Sequence, residues 1–574
     1  MNKISYRGPD NLSIKCINGN WLAHLRLSIQ DLDKRSNQPF SYKHYHIIFN
    51  GEIYNFIDLK KTLFNKYDFI TTSDTEVLLY LFIEYGFKCL NMLNGMFSFI
   101  IYNEIENTIF VARDRLGKKP LFYSIINNTI ELSSQPSQLL NSFNANINYN
   151  SLNEFFAFKY IKEPFTIWDN IFKFPSGSYM FYDCNNFKYS INKFWDIVDN
   201  TKEFNGNYED AKSELLLLLN DSVKIRNISD IPVGVNLSGG IDSSLIAILT
   251  KFHNFNLNTF SVKFNEAKFN ESTYANQIAN KISSNHNVVN FNINDILYYL
   301  DNYSNFFDEP FADSSSIPSL ILSKHIKNTG ISVTLSGDGA DEIFSGYHRY
   351  GYISTFNKLS KLIPLSVRKS IHFLLNHNLT EFLANNDINK NYIRLLIGKY
   401  QNELVDFNSL NYDFTKFENS KSILDKFSKF DCENYLINDI NVKLDRSMMA
   451  NSVEARSPFQ DYRIIEFGNS LPSNFKINKK ILKDILKLYM PNDFIYRNKK
   501  GFTASFEILF KTQLKSYVIE SLNKDNCYKY LNFLDYNIVK GILNDHFIKN
   551  INRYPDIFSL LVLRNFFKSN YSYS

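Results

Sequence analysis

Up to about residue 195, apolar residues come in short β-branched and aromatic runs broken by Asn, Gly and Pro. "HYHIIFNGEIYN" (44–55), "GMFSFIIYN" (95–103), "TIFVARDRLGKKPLFYSIINNTIELSS" (108–134) and "GSYMFYD" (177–183) predict strands. "DTEVLLYLFIEYGFKCLNML" (74–93) has helical spacing instead. This half, 1–195, reads as α+β, a sheet sandwich with packed helices. The polar stretch 196–207 reads as a linker, and at residue 208 the rhythm changes. Helix "YEDAKSELLLLLNDSVKIR", strand "IPVGVNLSGG", helix "IDSSLIAILTKF", strand "NTFSVKF", helix "NESTYANQIANKI" and strand "NVVNFNI" follow in turn. After a longer helical stretch, strand "ISVTLSG" runs into "DGADEIFSGYHRY". Apolar strands alternating with amphipathic helices predict a doubly wound parallel sheet within 208–574. Beyond about residue 352 the pattern reads as helical to the end.

At 574 residues the chain calls for two or more domains. A net charge of +5, with acidic and basic residues interspersed, gives no electrostatic footprint for nucleic acid. Five scattered cysteines have no metal or disulfide spacing. The longest apolar run, Leu215 to Leu219, is far too short to span a membrane. A soluble cytoplasmic protein is the expectation.

"LSGGIDSS" (237–244) joins a buried strand to a helix start. Gly239 and Gly240 let the backbone approach an oxyanion, the new helix turns free N–H groups toward it, and Ser238, Ser243 and Ser244 add hydroxyl donors. No Gly-Lys-Ser/Thr follows, so this is not the kinase-type loop. Asp242 would repel a phosphate unless a divalent cation lay between them. The Gly-Gly pair alone equally suits a capped turn. A second strand end, "LSGDGADEIFSGYHRY" (335–350), places Ser336, Gly337, Asp338, Asp341 and Glu342 at a carboxyl edge, where open α/β sheets gather ligands. Asp242 and Asp341 are thereby candidates to hold one Mg²⁺.

These motifs, with "DEPFADSSSIP" (308–318), "DRSMMANSVEARSPFQDYR" (445–463), "NKKILKDIL" (478–486) and "RNKKGFTASF" (497–506), resemble the synthetase domain of glutamine-dependent asparagine synthetases. "LSGGIDSS" is similar to the pyrophosphate loop of N-type ATP pyrophosphatases. "RGPD", "LRLSIQD", "FNGEIYN", "TSDTEV" and "ARDRLGKKPLFY" resemble the same family's class II glutaminase domain, an αββα Ntn-type sandwich. The resemblance implies ATP-dependent amidation of aspartate through an aspartyl-AMP intermediate, with ATP and Mg²⁺ required. It implies that Ser238, Gly239, Gly240, Ser243, Ser244, Ser336 and Gly337 bind ATP or pyrophosphate, and that Asp242 and Asp341 hold the metal. Lys479 is implied to meet the α-phosphate, with Lys480 as the neighbouring register. Asp338 is implied to handle the proton of attacking ammonia, where many relatives carry the longer Glu. Arg26 and Asp74 are implied to bind glutamine, and Asn50 with Gly51 to form its oxyanion hole. A homodimer is usual for the family.

Only six polar residues precede the Arg7-Gly8-Pro9-Asp10 turn. The family's nucleophilic cysteine, whose own α-amine is the base, lies a strand and a helix before that turn. Cys16 is internal and cannot replace it, so Met1 reads as an internal methionine and the glutaminase half as N-terminally truncated. Removing that strand is expected to leave an open sheet edge. As written, the chain is not expected to hydrolyse glutamine, and free ammonia would be its nitrogen source. Two alternatives remain: another carboxylate acceptor, such as a surface-polysaccharide uronic acid, or a non-catalytic nucleotide-binding relative.

Overall fold

The computed structural model describes residues 2–140, 146–198, 203–263, 272–290, 292–375, 385–398, 403–410, 412–497 and 504–570. In the first half the strands are β1 (Asn11–Ile17), β2 (Asn20–Arg26), β3 (Phe40–Tyr42), β4 (Tyr45–Ile53), β5 (Gly95–Asn103), β6 (Thr108–Arg113), β7 (Phe122–Ile126), β8 (Thr129–Ser133), β9 (Phe172–Lys173), β10 (Ser178–Asp183) and β11 (Tyr189–Lys193). An antiparallel sheet runs in the order β11-β10-β6-β5-β4-β3, while β1 pairs with β2, and β7 pairs with β8 and β9. On β5, Phe97, Phe99 and Ile101 join the core beneath α1 (Phe56–Lys61) and α2 (Asp74–Tyr85), whereas Ile100 and Tyr102 join the core shared with β1, β2 and β7. Both faces are covered, which is why "GMFSFIIYN" reads as a nearly unbroken apolar run. The layers described are helix, sheet and sheet.

In the second half α4 (Tyr208–Arg226) opens on a reciprocal cap. The Asn207 side chain accepts from the Asp210 N–H, and the Asp210 carboxylate accepts from the Asn207 N–H. Its buried positions Ala211, Leu215, Leu219 and Val223 fall four apart and seat one face on the sheet side. The parallel sheet has the order β14-β13-β12-β15-β16, built from β12 (Val233–Asn236), β13 (Asn258–Lys263), β14 (Asn285–Asn290), β15 (Val333–Leu335) and β16 (Glu454–Arg456). The chain winds outward from β12 to β14, then returns to β12's other side as β15. The switch point therefore falls between the carboxyl ends of β12 and β15, the crevice where such sheets bind ligands.

Two sequence expectations are corrected. The stretch beyond residue 352 is not wholly helical, because β16 adds a fifth parallel strand with Leu335 opposite Arg456. Three residues with two charges carry no strand signal; Glu454 and Arg456 are buried because they pair with one another and with neighbours. The strand expected at 287–293 starts two residues earlier, and Phe291 lies outside the described residues.

Parts of the region read as a linker are packed rather than free. The Trp195 indole N–H, just before it, donates to Glu466 at 2.9 Å, the Asn469 amide donates to the Ile197 carbonyl at 3.2 Å, and Phe204 meets Phe467 edge-on. Residues from α3 (Tyr149–Phe158) to Ile171 share the second half's core. None of the five cysteines is in a disulfide. Among the described residues no helix is long and apolar enough to cross a membrane.

Candidate active site

At the end of β12 the loop turns through Gly239 at φ +78°, and a Cβ there would lie 2.7 Å from the Ala275 backbone N. Glycine is thus required both by conformation and by closeness. Gly240 caps α5 (Ile241–Lys251) without a side-chain hydrogen bond, which leaves the first N–H groups of the helix for another acceptor. Ser238 Oγ lies 3.0 Å from Ser243 Oγ and accepts from Gly240 N–H at 3.3 Å, so these hydroxyls hold the loop's shape. Ser244 Oγ is buried without a partner. Arg497 fixes the loop from outside: it donates to the Gly239 carbonyl at 2.6 Å and stacks 3.6 Å over Tyr274.

The loop after β15 meets this one in direct contact. A Cβ on Gly337 would lie 2.8 Å from Ser243 N and 2.9 Å from Asp242 Cβ. Ser336 Oγ contacts Ser457 Oγ at 3.1 Å. The Lys479 ammonium lies between the two loops, 2.6 Å from Asp242 Oδ2 and 2.5 Å from Asp341 Oδ1. Burial opposes its charge, but the two carboxylates outweigh burial and raise its pKa. Asn478 and Lys479 are both left-handed, φ +53° and +58°, a costly backbone for non-glycine residues and one that aims Lys479 inward. Lys480 is exposed, with its ammonium 4.5 Å over the Tyr208 ring.

Asp338 is half-buried, and the charge it faces is Lys443. Lys443 donates to Asp313 at 2.9 Å, and buried Asp439 beside them has its pKa raised by burial and then by Asp313. Glu342 is buried and pushed up to about 7 by burial and by Asp341, and the Tyr347 hydroxyl donates to it at 2.5 Å. Asp313, Asp439 and Lys443 were not singled out from the sequence. They sit on helical or loop segments where single charges look like solvated faces, although Asp313 falls in a quoted motif. The segment 498–503 of "RNKKGFTASF" lies outside the described residues.

In the first half Arg26, Asn50, Gly51 and Asp74 all line one cavity of about 640 Å³. A Cβ on Gly51 would lie 2.1 Å from the Met96 carbonyl, so only glycine fits β4 against β5 here. The Asn50 amide donates to Ser134 Oγ at 3.5 Å. Asp74, first residue of α2, accepts from Ile53 N–H at 2.9 Å, and burial pushes its carboxyl up to about 6. The Arg26 guanidinium donates to Asn37 Oδ1 and to the carbonyls of Gln30, Asp31 and Asp33, so its Nη groups hold the 30–37 loop. His24, missed in the sequence, also lines the cavity; its Nδ1 is buried without a partner, and burial lowers its pKa to about 4. Residues of β2 and β8 line the cavity too, together with Ile48, Ile100, Tyr102 and Ile109.

Among the described residues no group of three or more His, Cys, Asp or Glu forms a metal cage. Asp242 and Asp341 nevertheless suit Mg²⁺, which takes one or two carboxylates and completes its shell with substrate phosphates and water. One cation, Lys479, already bridges both carboxylates.

A switch-point loop with paired carboxylates, and a separate polar pocket on an antiparallel sheet, give this two-domain α/β protein a candidate site in each half. Residues 214–567 match the family described as asparagine synthase, and residues 1–195 match the glutamine amidotransferase domain. The chain belongs to the asparagine synthase family. It is 29% identical to asparagine synthetase [glutamine-hydrolyzing] 1 of Bacillus subtilis, over 97% of this chain and 91% of that protein. It is 26% identical to asparagine synthetase B [glutamine-hydrolyzing] of Escherichia coli, over 87% of this chain and 77% of that one.

Proposed function

We propose that this protein makes asparagine from aspartate, ATP and ammonia, releasing AMP and pyrophosphate. The observation that carries the reading is Lys479 held between Asp242 and Asp341, beside the Ser238–Ser244 loop, at the switch point. The side-chain carboxylate of aspartate is a poor electrophile. Its oxygen attacks the α-phosphorus of ATP, forming a C–O–P bond while the bond to the bridging pyrophosphate oxygen breaks. Negative charge then gathers on pyrophosphate, where the α5 N–H groups and the loop hydroxyls are already oriented. Lys479 neutralises charge at the α-phosphate. Asp242 and Asp341 would hold Mg²⁺, which when bound supplies charge neutralisation on the phosphates. Ammonia next attacks the aspartyl carbonyl carbon, AMP departs with the electron pair of the C–O bond, and Asp338 accepts the proton.

The cavity in the first half is read as the glutamine pocket. Asp74 would meet the glutamine ammonium, Arg26 its carboxylate, and Asn50 with Gly51 the oxyanion. The protein's nitrogen comes from glutamine if a cysteine-bearing segment precedes Met1, and from free ammonia otherwise. A cytoplasmic homodimer with small-molecule substrates completes the reading.

The test is pyrophosphate release by the purified chain given ATP, Mg²⁺ and aspartate, with ammonium or glutamine. Release with asparagine formed from ammonium supports the assignment. Asparagine formed as readily from glutamine would make glutamine hydrolysis the nitrogen source, and asparagine from ammonium alone would make it free ammonia. Release with a uronic acid but not with aspartate would move the acceptor to another carboxylate, and no release with any acceptor would leave a nucleotide-binding protein.

A further inference from the structure

One residue reaches both candidate sites, one through its backbone and the other through its side chain. Arg456 on β16 is fully buried, and its carbonyl accepts from the Ser336 N–H at 2.9 Å, at the root of the Ser336-Gly337-Asp338 loop. Ser457 Oγ, next in sequence, contacts Ser336 Oγ at 3.1 Å. In the opposite direction the Arg456 guanidinium reaches the first half. Its Nη1 donates to the carbonyls of Arg226 and Ile228 at 3.0 and 2.7 Å, and its Nε donates to Glu454 at 3.0 Å. Nη2 lies 3.1 Å from Oε1 of Glu52, yet the two are not aligned for a hydrogen bond. Glu52 immediately follows Gly51 on β4 and lines the 640 Å³ cavity with Asp74.

Three of the four guanidinium contacts are well made and one is loose. The loose one is the contact to Glu52, which lines the cavity together with Glu454. Glu52 is fully enclosed: burial pushes its carboxyl well above the ordinary range, Arg456 pulls it back, and the nearby charge of Asp74 pushes it up again. A ligand ammonium arriving at Asp74 would cancel that last effect. Glu52 would then ionise, and its pull on Nη2 would align the pair. Any shift of Arg456 along β16 is felt at Ser336, because the strand's carbonyl and the Ser457 hydroxyl both hold that loop.

Resting on the reading under Proposed function, we propose that Arg456 is a positioning residue through which glutamine in the first-half cavity tightens nucleotide binding at the Ser336–Asp338 loop, with Glu52 as the sensing group. The two ligands are then linked, and each must change the other's affinity by the same factor.

The test is calorimetric. The Kd of a non-hydrolysable ATP analogue with Mg²⁺ is measured on the full chain with and without saturating L-glutamine, and the glutamine Kd with and without the analogue. The expected result is a threefold or larger tightening, equal in both directions. In Glu52→Gln and in Ser457→Ala the ratio falls to one, while each ligand still binds alone. A purely structural role for these residues would lower the unfolding temperature and leave the ratio intact. If both ligands bind the wild-type chain with a ratio of one, or if the ratio survives in both variants, the coupling is wrong and the functional reading stands. If the nucleotide fails to bind the wild-type chain, the functional reading falls and takes this inference with it; if only glutamine fails to bind, this inference falls alone.

Discussion

Lys479 Nζ lies 2.6 Å from Asp242 Oδ2 although 237 residues separate them in the chain. The contact joins the helical C-terminal region to the first βα loop, and the same ammonium reaches Asp341. Replacing Lys479 with Met removes the only side-chain charge described between those carboxylates. A preorganised charge at a developing anion is worth about 10²–10³ in rate. Pyrophosphate release in Lys479→Met should therefore drop at least about 100-fold, again by that range. Lys480→Met, on the exposed neighbour, should change it less than about twofold, within the small effects usual for surface substitutions. The reverse ranking would reassign the register.

Gly337 should be intolerant for a reason separate from charge. Its missing Cβ is what lets the β15 loop lie against the backbone of Ser243 and against Asp242. Backbone cannot yield as a flexible side chain can, so Gly337→Ala should cost about 1–3 kcal/mol of overpacking and raise the KM for ATP. Gly351 sits half-buried in a helix, and a methyl group added there would meet nothing within 4 Å. Gly351→Ala should gain up to about 1 kcal/mol of helix propensity and leave KM unchanged. Thermal unfolding and ATP kinetics on both variants check the contrast; equal KM values would sink the packing argument.

Most elements were legible because their periodicity is enforced by burial. α4 follows its predicted span from Tyr208 to Arg226, since an Asn cap and apolar residues four apart leave little choice. The Ser238–Ser244 loop was legible because glycine, serine and a helix start at one strand end have few other uses together. β16 was not legible: its Glu-Ala-Arg becomes a buried strand only when Lys119 and Glu52, hundreds of residues away, neutralise it. The tie of Arg26 to the 30–37 loop was hidden for a similar reason, because three of its four partners are backbone carbonyls that no residue pattern announces. Asp439 and Lys443 gain their significance from Asp313 across the fold, not from spacing.

Asp74 gives the first-half cavity a pH signature. Burial pushes its carboxyl up to about 6, from an ordinary value of 3.8. It is protonated below that pH and ionised above it, and only the ionised form attracts a ligand ammonium. Glutamine affinity should accordingly strengthen as pH rises from about 5 to 7 and then level off. Asp74→Asn should bind more weakly and lose the dependence. Titration calorimetry at four pH values decides; a flat profile in the wild-type protein would remove Asp74 from glutamine recognition.

Arg226 joins the two halves. It donates to Asp461 at 2.9 Å and lies over the Tyr54 ring at 4.4 Å, while the Asn94 amide donates to the same carboxylate at 3.0 Å. Both charges are almost wholly buried, so breaking the pair leaves Asp461 short of a partner in a low-dielectric place. Arg463 still reaches Asp461 at 2.8 Å, which softens the loss. Arg226→Met should cost roughly 3 kcal/mol, the low end for a broken buried pair. Burial acts to raise the Asp461 pKa, but Arg226 and Arg463 win and hold it well below the ordinary range. A depressed carboxyl stabilises the folded state above its unfolded pKa and loses that contribution as pH falls toward the folded value. The deficit of Arg226→Met should therefore be constant from pH 8 to about 5 and should narrow below about 4, where Asp461 of the unfolded chain takes up its proton. Urea unfolding of both proteins across that range measures it. A deficit that widened in acid would mean that Arg226 acts through packing on Tyr54 and not through Asp461.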